Sequence, residues 1–142
     1  MKKYTVFLSA GEPSGDFLGS QLMKALKKQL GANVTFVGLG GSLMAAEGLP
    51  SLFPIEELSI MGLAEIIPHI RRIRNRIQET VEAIETIRPD VVVTIDSPGF
   101  NFRVGKRLKK RIKSIPLVHY VAPSVWAWRP TRAHAVAHFL DP

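Results

Sequence analysis

Between Tyr4 and Ala10 the chain is apolar at nearly every position, which predicts a first strand buried on both faces. The pattern then changes period. From Phe17 to Leu30, Leu18, Leu22, Met23, Leu26 and Leu30 recur at helical spacing, with Lys24, Lys27 and Lys28 on another face, and Gly31 supplies a stop. Val34 to Leu39 predicts a second strand, Gly40-Gly41 a turn, Leu43 to Glu47 a short helix, and Leu52-Phe53 a short third strand. Leu58 to Ile67 is more apolar than a turn requires. After Pro68, a basic amphipathic helix is predicted over His69 to Ile87, its buried stripe being Ile70, Ile73, Ile77, Val81, Ile84 and Ile87. Arg71, Arg72, Arg74 and Arg76 crowd its first turns, the unfavourable end for cations in the helix dipole.

Arg88-Pro89-Asp90 ends that helix. Val91 to Ile95 is the clearest central parallel strand in the chain. Phe100 to Lys113 reads as a basic helix with Phe102, Leu108 and Ile112 toward the sheet, and Leu117 to Val121 as another strand. An aromatic segment, Val125 to Trp128, follows, and Pro130 can open a last helix toward His138. The alternation of strands and helices predicts an α/β fold with a Rossmann-like, doubly wound parallel sheet and right-handed crossovers.

Composition narrows the functional classes. The 142 residues suffice for one domain with a core, and 46% apolar against 22% charged content marks a globular chain. Without cysteine there is no disulfide and no thiolate metal site or nucleophile. His134 and His138 are four apart, but no further ligand accompanies them, so surface histidines are expected rather than a metal site. No stretch approaches the ~20 apolar residues of a spanning helix. The run Tyr4 to Ala10 is too short for a signal peptide and ends in Gly-Glu-Pro. The formal charge of +7 suits anionic partners such as phosphorylated small molecules or acidic lipid, without choosing among them. Nucleic-acid binding would rest on charge alone.

Candidate chemistry concentrates after the strands. Gly11-Glu12-Pro13-Ser14-Gly15-Asp16 lies at a strand-to-helix turn, where ligands bind in open α/β sheets. Gly11 and Gly15 permit close backbone approach, Ser14 and Asp16 can cap the helix, and Glu12 can accept sugar hydroxyls. A tight capped turn and a sugar or phosphate site both fit; the dinucleotide spacing does not. Asp96 ends the strongest strand, where its carboxylate can accept a proton from an attacking hydroxyl or cap its own turn through Ser97 and Gly99. Asn101 can orient a hydroxyl or cap the next helix. Arg103, Lys106, Arg107 and the lysines beyond make a basic face, mostly solvated, of which one or two members can meet a phosphate. Ser124, Trp126, Trp128 and Arg129 follow the last strong strand and suit sugar stacking, apolar packing or phosphate contact. His119 is expected inside a strand in a supporting role. The apolar Ile60, Met61, Leu63, Ile66 and Ile67, next to Arg71 and Arg72, suit either a core helix or a lipid surface.

Four of these stretches, in order, carry a family likeness. Ala10 to Asp16, Glu57-Leu58-Ser59-Ile60-Met61-Gly62, Asp96-Ser97-Pro98-Gly99-Phe100-Asn101, and His119 to Arg129 resemble the lipid-A-disaccharide synthases. The resemblance implies an inverting glycosyltransferase, the chain being the N-terminal, acceptor-side half of a two-domain GT-B fold. The implied reaction joins UDP-2,3-diacylglucosamine to 2,3-diacylglucosamine 1-phosphate through a β-1,6 link, releasing UDP, at the cytoplasmic face of the Gram-negative inner membrane. The family's proposed catalytic base falls on Asp96. Gly11, Glu12, Ser14, Gly15 and Asp16, with Asn101, Ser124, Trp126 and Arg129, fall on the substrate cleft. Ile60, Met61, Leu63, Ile66, Ile67, Arg71 and Arg72 fall on the membrane or acyl-chain contact. No metal or cofactor is implied, nor nucleic acid. The family commonly has an aspartate where this chain has Gly99. It is also more than twice this length, so residues 1–142 are expected to form a single domain without the UDP-sugar-binding half, inactive in transfer by itself unless a separate chain supplies that half. The alternative expectation is a non-catalytic module for acidic lipid or sugar phosphate.

Overall fold

The computed structural model describes residues 2–58 and 66–120, with only the backbone of 66–68. Four strands, β1 (Tyr4–Ala10), β2 (Val34–Leu39), β3 (Val91–Ile95) and β4 (Leu117–Tyr120), form one sheet in the order β2-β1-β3-β4. Every pairing is parallel. Helices α1 (Pro13–Leu30) and α2 (Ser42–Ala46) follow β1 and β2, while α3 (Ile66–Ile87) and α4 (Pro98–Arg111) precede and follow β3.

The central strands are largely apolar because both faces are covered; the buried Ser9 and Thr94 are hydrogen-bonded exceptions. Val6, Leu8, Ala10 and Ile95 pack with Met23 of α1 and Met44 of α2. Phe7 and Val92, one residue out of phase, pack with Ile77, Val81 and Ile84 of α3 and Val104 and Leu108 of α4. The chain leaves β1 toward β2 on one side and later leaves β3 toward β4 on the other. Strand order therefore reverses between β1 and β3, and the crevice of a doubly wound sheet opens at the carboxyl ends of those two strands.

Several boundaries differ from the sequence reading. Helix α1 begins at Pro13 and α4 at Pro98, each with proline in its first turn, where a missing N–H costs nothing. Leu52-Phe53 forms no strand; Ser51 makes only an isolated bridge to Gly38, and Ile55–Leu58 is a 3-10 turn. Helix α3 starts before Pro68, so Arg71 lies beyond its first turn and the unfavourable dipole placement is milder than expected. The stripe of α3 is shifted as well. Ile70 is 52% exposed, Ile87 is exposed, and the buried row runs His69, Ile77, Thr80, Val81, Ile84. On α4, Phe100 and Val104 join Leu108 and Ile112 in the core, whereas Phe102 is half-buried and packs edge-on against the His119 ring at 5.0 Å.

Candidate active site at the carboxyl edge

The two polar turns meet. Gly11 donates its backbone N–H to Ser97 Oγ at 3.1 Å, and Ser14 donates its hydroxyl to Asp96 Oδ2 at 2.5 Å. These bonds join residues 82 to 86 positions apart, so the first and third strands present their turns to one site. A Cβ at Gly11 would lie 2.8 Å from Leu58 Cδ1 and 3.0 Å from Ser97 Oγ. At Gly15 it would lie 3.1 Å from the Ile95 carbonyl oxygen. Gly15 thus serves the close approach of α1 to β3, and Gly11 the close approach of the β1–α1 turn to Leu58 and Ser97.

Asp96 has φ 53° and Ser97 φ 44°, two successive non-glycine residues in the left-handed region. Such backbone costs about 1–3 kcal/mol per residue unless its surroundings impose it, least for Asp and Asn. Asn101 imposes it here. Its side-chain amide is shared among the carbonyls of Asp96 at 2.8 Å, Ser9 at 3.1 Å and Ile95 at 3.2 Å. Its Oδ1 accepts the Ser9 hydroxyl at 2.7 Å. The Asn101 side chain is 1% exposed and spent on the protein, so it positions Asp96 rather than meeting a ligand. The Asp96 carboxylate remains half-buried, and Ser14 is its hydrogen-bond partner among the described residues.

Asp16 also turns away from the cleft. It caps no part of α1; its carboxylate accepts the backbone N–H groups of Gly41 at 2.9 Å, Met44 at 3.0 Å and Leu43 at 3.1 Å. It is the capping group of α2, reached across the molecule, and it is buried. Glu12, the residue that precedes α1 at its N-cap position, makes no side-chain cap.

What remains open is a cleft of about 640 Å³. One wall is polar, made of Gly11, Glu12, Pro13, Ser14 and Ser97, and carries the N-terminus of α1. The other is apolar with two cationic or titratable additions: Leu58, Ile73 and Phe100, with His69 from α3 and Arg103 from α4. The first turns of α1 and α4 both abut this space, so their uncapped backbone N–H groups bias it toward anionic ligands. His69 was not singled out by the sequence reading. Its place four and eight residues before Ile73 and Ile77, on the buried row, was the available signal.

A second groove, of about 490 Å³, lies on the outer surface of α3 between Glu57, Arg71, Arg72, Asn75 and Arg76. Arg76 is committed there, bridging Glu57 at 2.8 Å and Glu79 at 2.6 Å and lying over the Phe53 ring. Hydrogen bonds to Glu57 and Glu79 raise its pKa further, so it stays charged. Arg71 is exposed, with no ion-pair partner among the described residues, and Arg72 reaches the Glu57 carbonyl at 3.5 Å. Ile66 and Ile67 open α3. Ile60, Met61 and Leu63 lie outside the described residues, as do Ser124, Trp126, Trp128, Arg129, His134 and His138. His119 shares a 2.7 Å hydrogen bond with Thr94 Oγ1 and supports the sheet. Among the described residues no three His, Asp or Glu side chains converge as a metal site. No described helix is long and apolar enough to cross a membrane.

Comparison with known proteins places this geometry in a family. Residues 6–142 match the family model described as Lipid-A-disaccharide synthetase. Over 136 residues the chain is 55% identical to the lipid-A-disaccharide synthase of Paramagnetospirillum magneticum, covering 96% of this chain and 35% of that one. It is 52% identical to that of Rhodospirillum centenum over 141 residues, covering 99% and 35%. To that of Ruegeria pomeroyi it is 55% identical over 136 residues, covering 96% and 33%. The chain spans about a third of the length of these curated relatives. With its two turns joined at the switch point of a parallel sheet and a family match over nearly all its length, the chain belongs to the lipid-A-disaccharide synthetase family.

Proposed function

We propose that this chain is the acceptor-side domain of an inverting glycosyltransferase that joins a UDP-linked diacylglucosamine to a diacylglucosamine 1-phosphate. Asp96 takes the proton of the acceptor 6-hydroxyl. The freed oxygen bonds to the donor's anomeric carbon with inversion, and UDP departs with the electron pair of the broken bond. One observation carries this reading: the Asp96 carboxylate is held in a left-handed turn at the end of β3 and bonded to Ser14 of the facing turn, and Ser14 and the adjacent Ser97 both line the open cleft. Glu12 and Ser14 offer hydrogen bonds to sugar hydroxyls, and Leu58, Ile73 and Phe100 offer an apolar wall to acyl chains. Gly11 and Gly15 let the two turns close to this spacing. Ser124, Trp126 and Arg129 are proposed to contact sugar or phosphate. The donor's UDP is proposed to bind the remainder of a longer enzyme or a separate chain.

Membrane contact is proposed for the outer face of α3. Ile70 and Arg71 are exposed there and Arg72 is half-buried. With Ile60, Met61, Leu63, Ile66 and Ile67, which precede them in the sequence, they suit a surface where cations meet anionic head groups and apolar groups insert. The protein is accordingly proposed to attach peripherally at the cytoplasmic surface of the inner membrane.

The test is a chimera in which residues 1–142 replace the matching segment of the Paramagnetospirillum synthase. The chimera is expected to form disaccharide from both lipid substrates. Asp96→Asn in it is expected to lower kcat by about 100-fold or more, the range for losing a general base, with little change in acceptor KM. Asparagine tolerates the left-handed backbone, so folding is retained. Unchanged turnover in the Asp96→Asn chimera defeats the assignment.

A further inference from the structure

Within the proposed acceptor cleft, His69 stands apart. It is 6% exposed, and its Nδ1 is buried without a hydrogen-bond partner among the described residues. Buried side-chain polar atoms in folded proteins are nearly always paired, because leaving one unpaired costs about 1–3 kcal/mol. An apolar residue at this point of the α3 stripe would remove that cost, and the neighbouring stripe positions Ile73 and Ile77 are apolar. The ring forms part of the cleft lining, and a turn of the imidazole about its Cβ–Cγ bond brings Nδ1 within reach of a molecule bound there, which can supply what the protein does not.

The chemistry of the surroundings selects the molecule. Arg103 lines the same cleft from α4, is exposed, and has no ion-pair partner among the described residues. The uncapped first turns of α1 and α4 bring partial positive charge to the same space. Two carboxylates oppose this bias: Asp96, engaged by Ser14, and Glu12, exposed on the β1–α1 turn. An anionic group is therefore favoured on the α3–α4 wall, which carries His69 and Arg103, while neutral hydroxyls suit Glu12 and Asp96.

We infer that His69 and Arg103 form the seat of the acceptor's phosphate monoester, with His69 Nδ1 donating a hydrogen bond to a phosphate oxygen and Arg103 supplying the counter-charge. The inference rests on the acceptor-cleft reading and deepens it. It assigns His69 a binding role, reading the anionic end of the acceptor while Asp96 faces the hydroxyl end. Arginine's planar fork suits a phosphate whose other oxygens are bound elsewhere.

The test is calorimetric titration of the 142-residue chain with a short-acyl 2,3-diacylglucosamine 1-phosphate and with the same sugar lacking phosphate. The wild-type chain is expected to bind the phosphorylated sugar more tightly. His69→Phe, which keeps a ring in the wall, is expected to weaken that ligand about tenfold, to leave the phosphate-free sugar unchanged, and to unfold at no lower urea concentration than wild type. A purely structural histidine would not separate stability from phosphate affinity in this way. Arg103→Gln, at an exposed position, is expected to weaken the same ligand selectively, and it carries the test should His69→Phe fail to fold. Equal wild-type affinity for the two sugars, or full phosphate preference in either folded variant, overturns the seat and leaves the acceptor cleft standing. Binding of neither sugar overturns the cleft reading and the seat together.

Discussion

The two turns at the carboxyl edge solve one problem in opposite ways. Each carries the chain from a buried strand into a helix that opens with proline, and neither helix has a side-chain cap. The β1–α1 turn is built by leaving atoms out. Gly11 and Gly15 have no Cβ where the Leu58 methyl, the Ser97 hydroxyl and the Ile95 carbonyl come close. The β3–α4 turn is built by putting atoms in. Asp96 and Ser97 carry full side chains in the left-handed region, and Asn101 bonds to the backbone on both sides to keep them there. Close approach favours glycine, whereas full side chains in left-handed backbone need a brace. The cleft takes its shape from the first turn, and the second supplies the carboxylate proposed as its catalytic base.

Substitutions can separate the two designs. Asn101→Ala is expected to cost the most, about 3 kcal/mol or more in urea unfolding, since it strands the Ser9 hydroxyl and three carbonyls and releases the Asp96–Ser97 backbone. A loss under about 1 kcal/mol would show that the turn needs no brace. Asp16→Ala is expected to follow at about 2 kcal/mol, because the backbone N–H groups of Gly41, Leu43 and Met44 at the start of α2 lose their acceptor although solvent reaches some of them. Gly15→Ala presses a methyl against the Ile95 carbonyl and Ala10 Cβ, neither of which can yield, and is expected to cost about 1–2 kcal/mol. Gly11→Ala meets the movable end of Leu58 and is expected to cost less than about 1 kcal/mol. The reverse order of the two glycines would mean that the outer turn, rather than the helix–strand contact, sets the spacing.

The smallest effect serves as a control remote from both turns. The Lys27 hydrogen bond, aided by the charges of Lys27 and Lys24, holds the Glu47 carboxyl below its ordinary value of 4.5. A carboxyl with a depressed folded-state pKa stabilises the protein above its ordinary pKa and loses that contribution as pH falls through the folded value. Glu47→Gln should therefore lower the urea midpoint slightly near pH 7 and leave it unchanged near pH 3, with the difference shrinking in high salt.

The element order was legible because periodicity is a local property. Val91 to Ile95 could only be a strand covered on both faces, and the three- and four-residue spacing of Ile77, Val81 and Ile84 could only be one helical face. The partnership of the two turns was legible too, since both follow strands that run the same way in a parallel sheet. The roles inside the turns were not. Asp16 looked like a cap for its own helix and caps another, 25 to 28 residues away. Asn101 looked like a ligand group and braces a backbone instead, bonding to Ser9 across 92 residues. Ile70 looked like core and faces solvent, because α3 is rotated so that His69 takes the inward place.

What the chain's sequence determined alone was its alternation of strands and helices, its buried stripes and its family, all carried by spacing and by short motifs. Tertiary structure decided which polar side chains are satisfied within the protein and which are left unpaired. A carboxylate or amide has the same hydrogen-bonding capacity in either role. Only packing settles whether that capacity is met by a distant backbone, as for Asp16 and Asn101, or left open beside a cleft, as for His69.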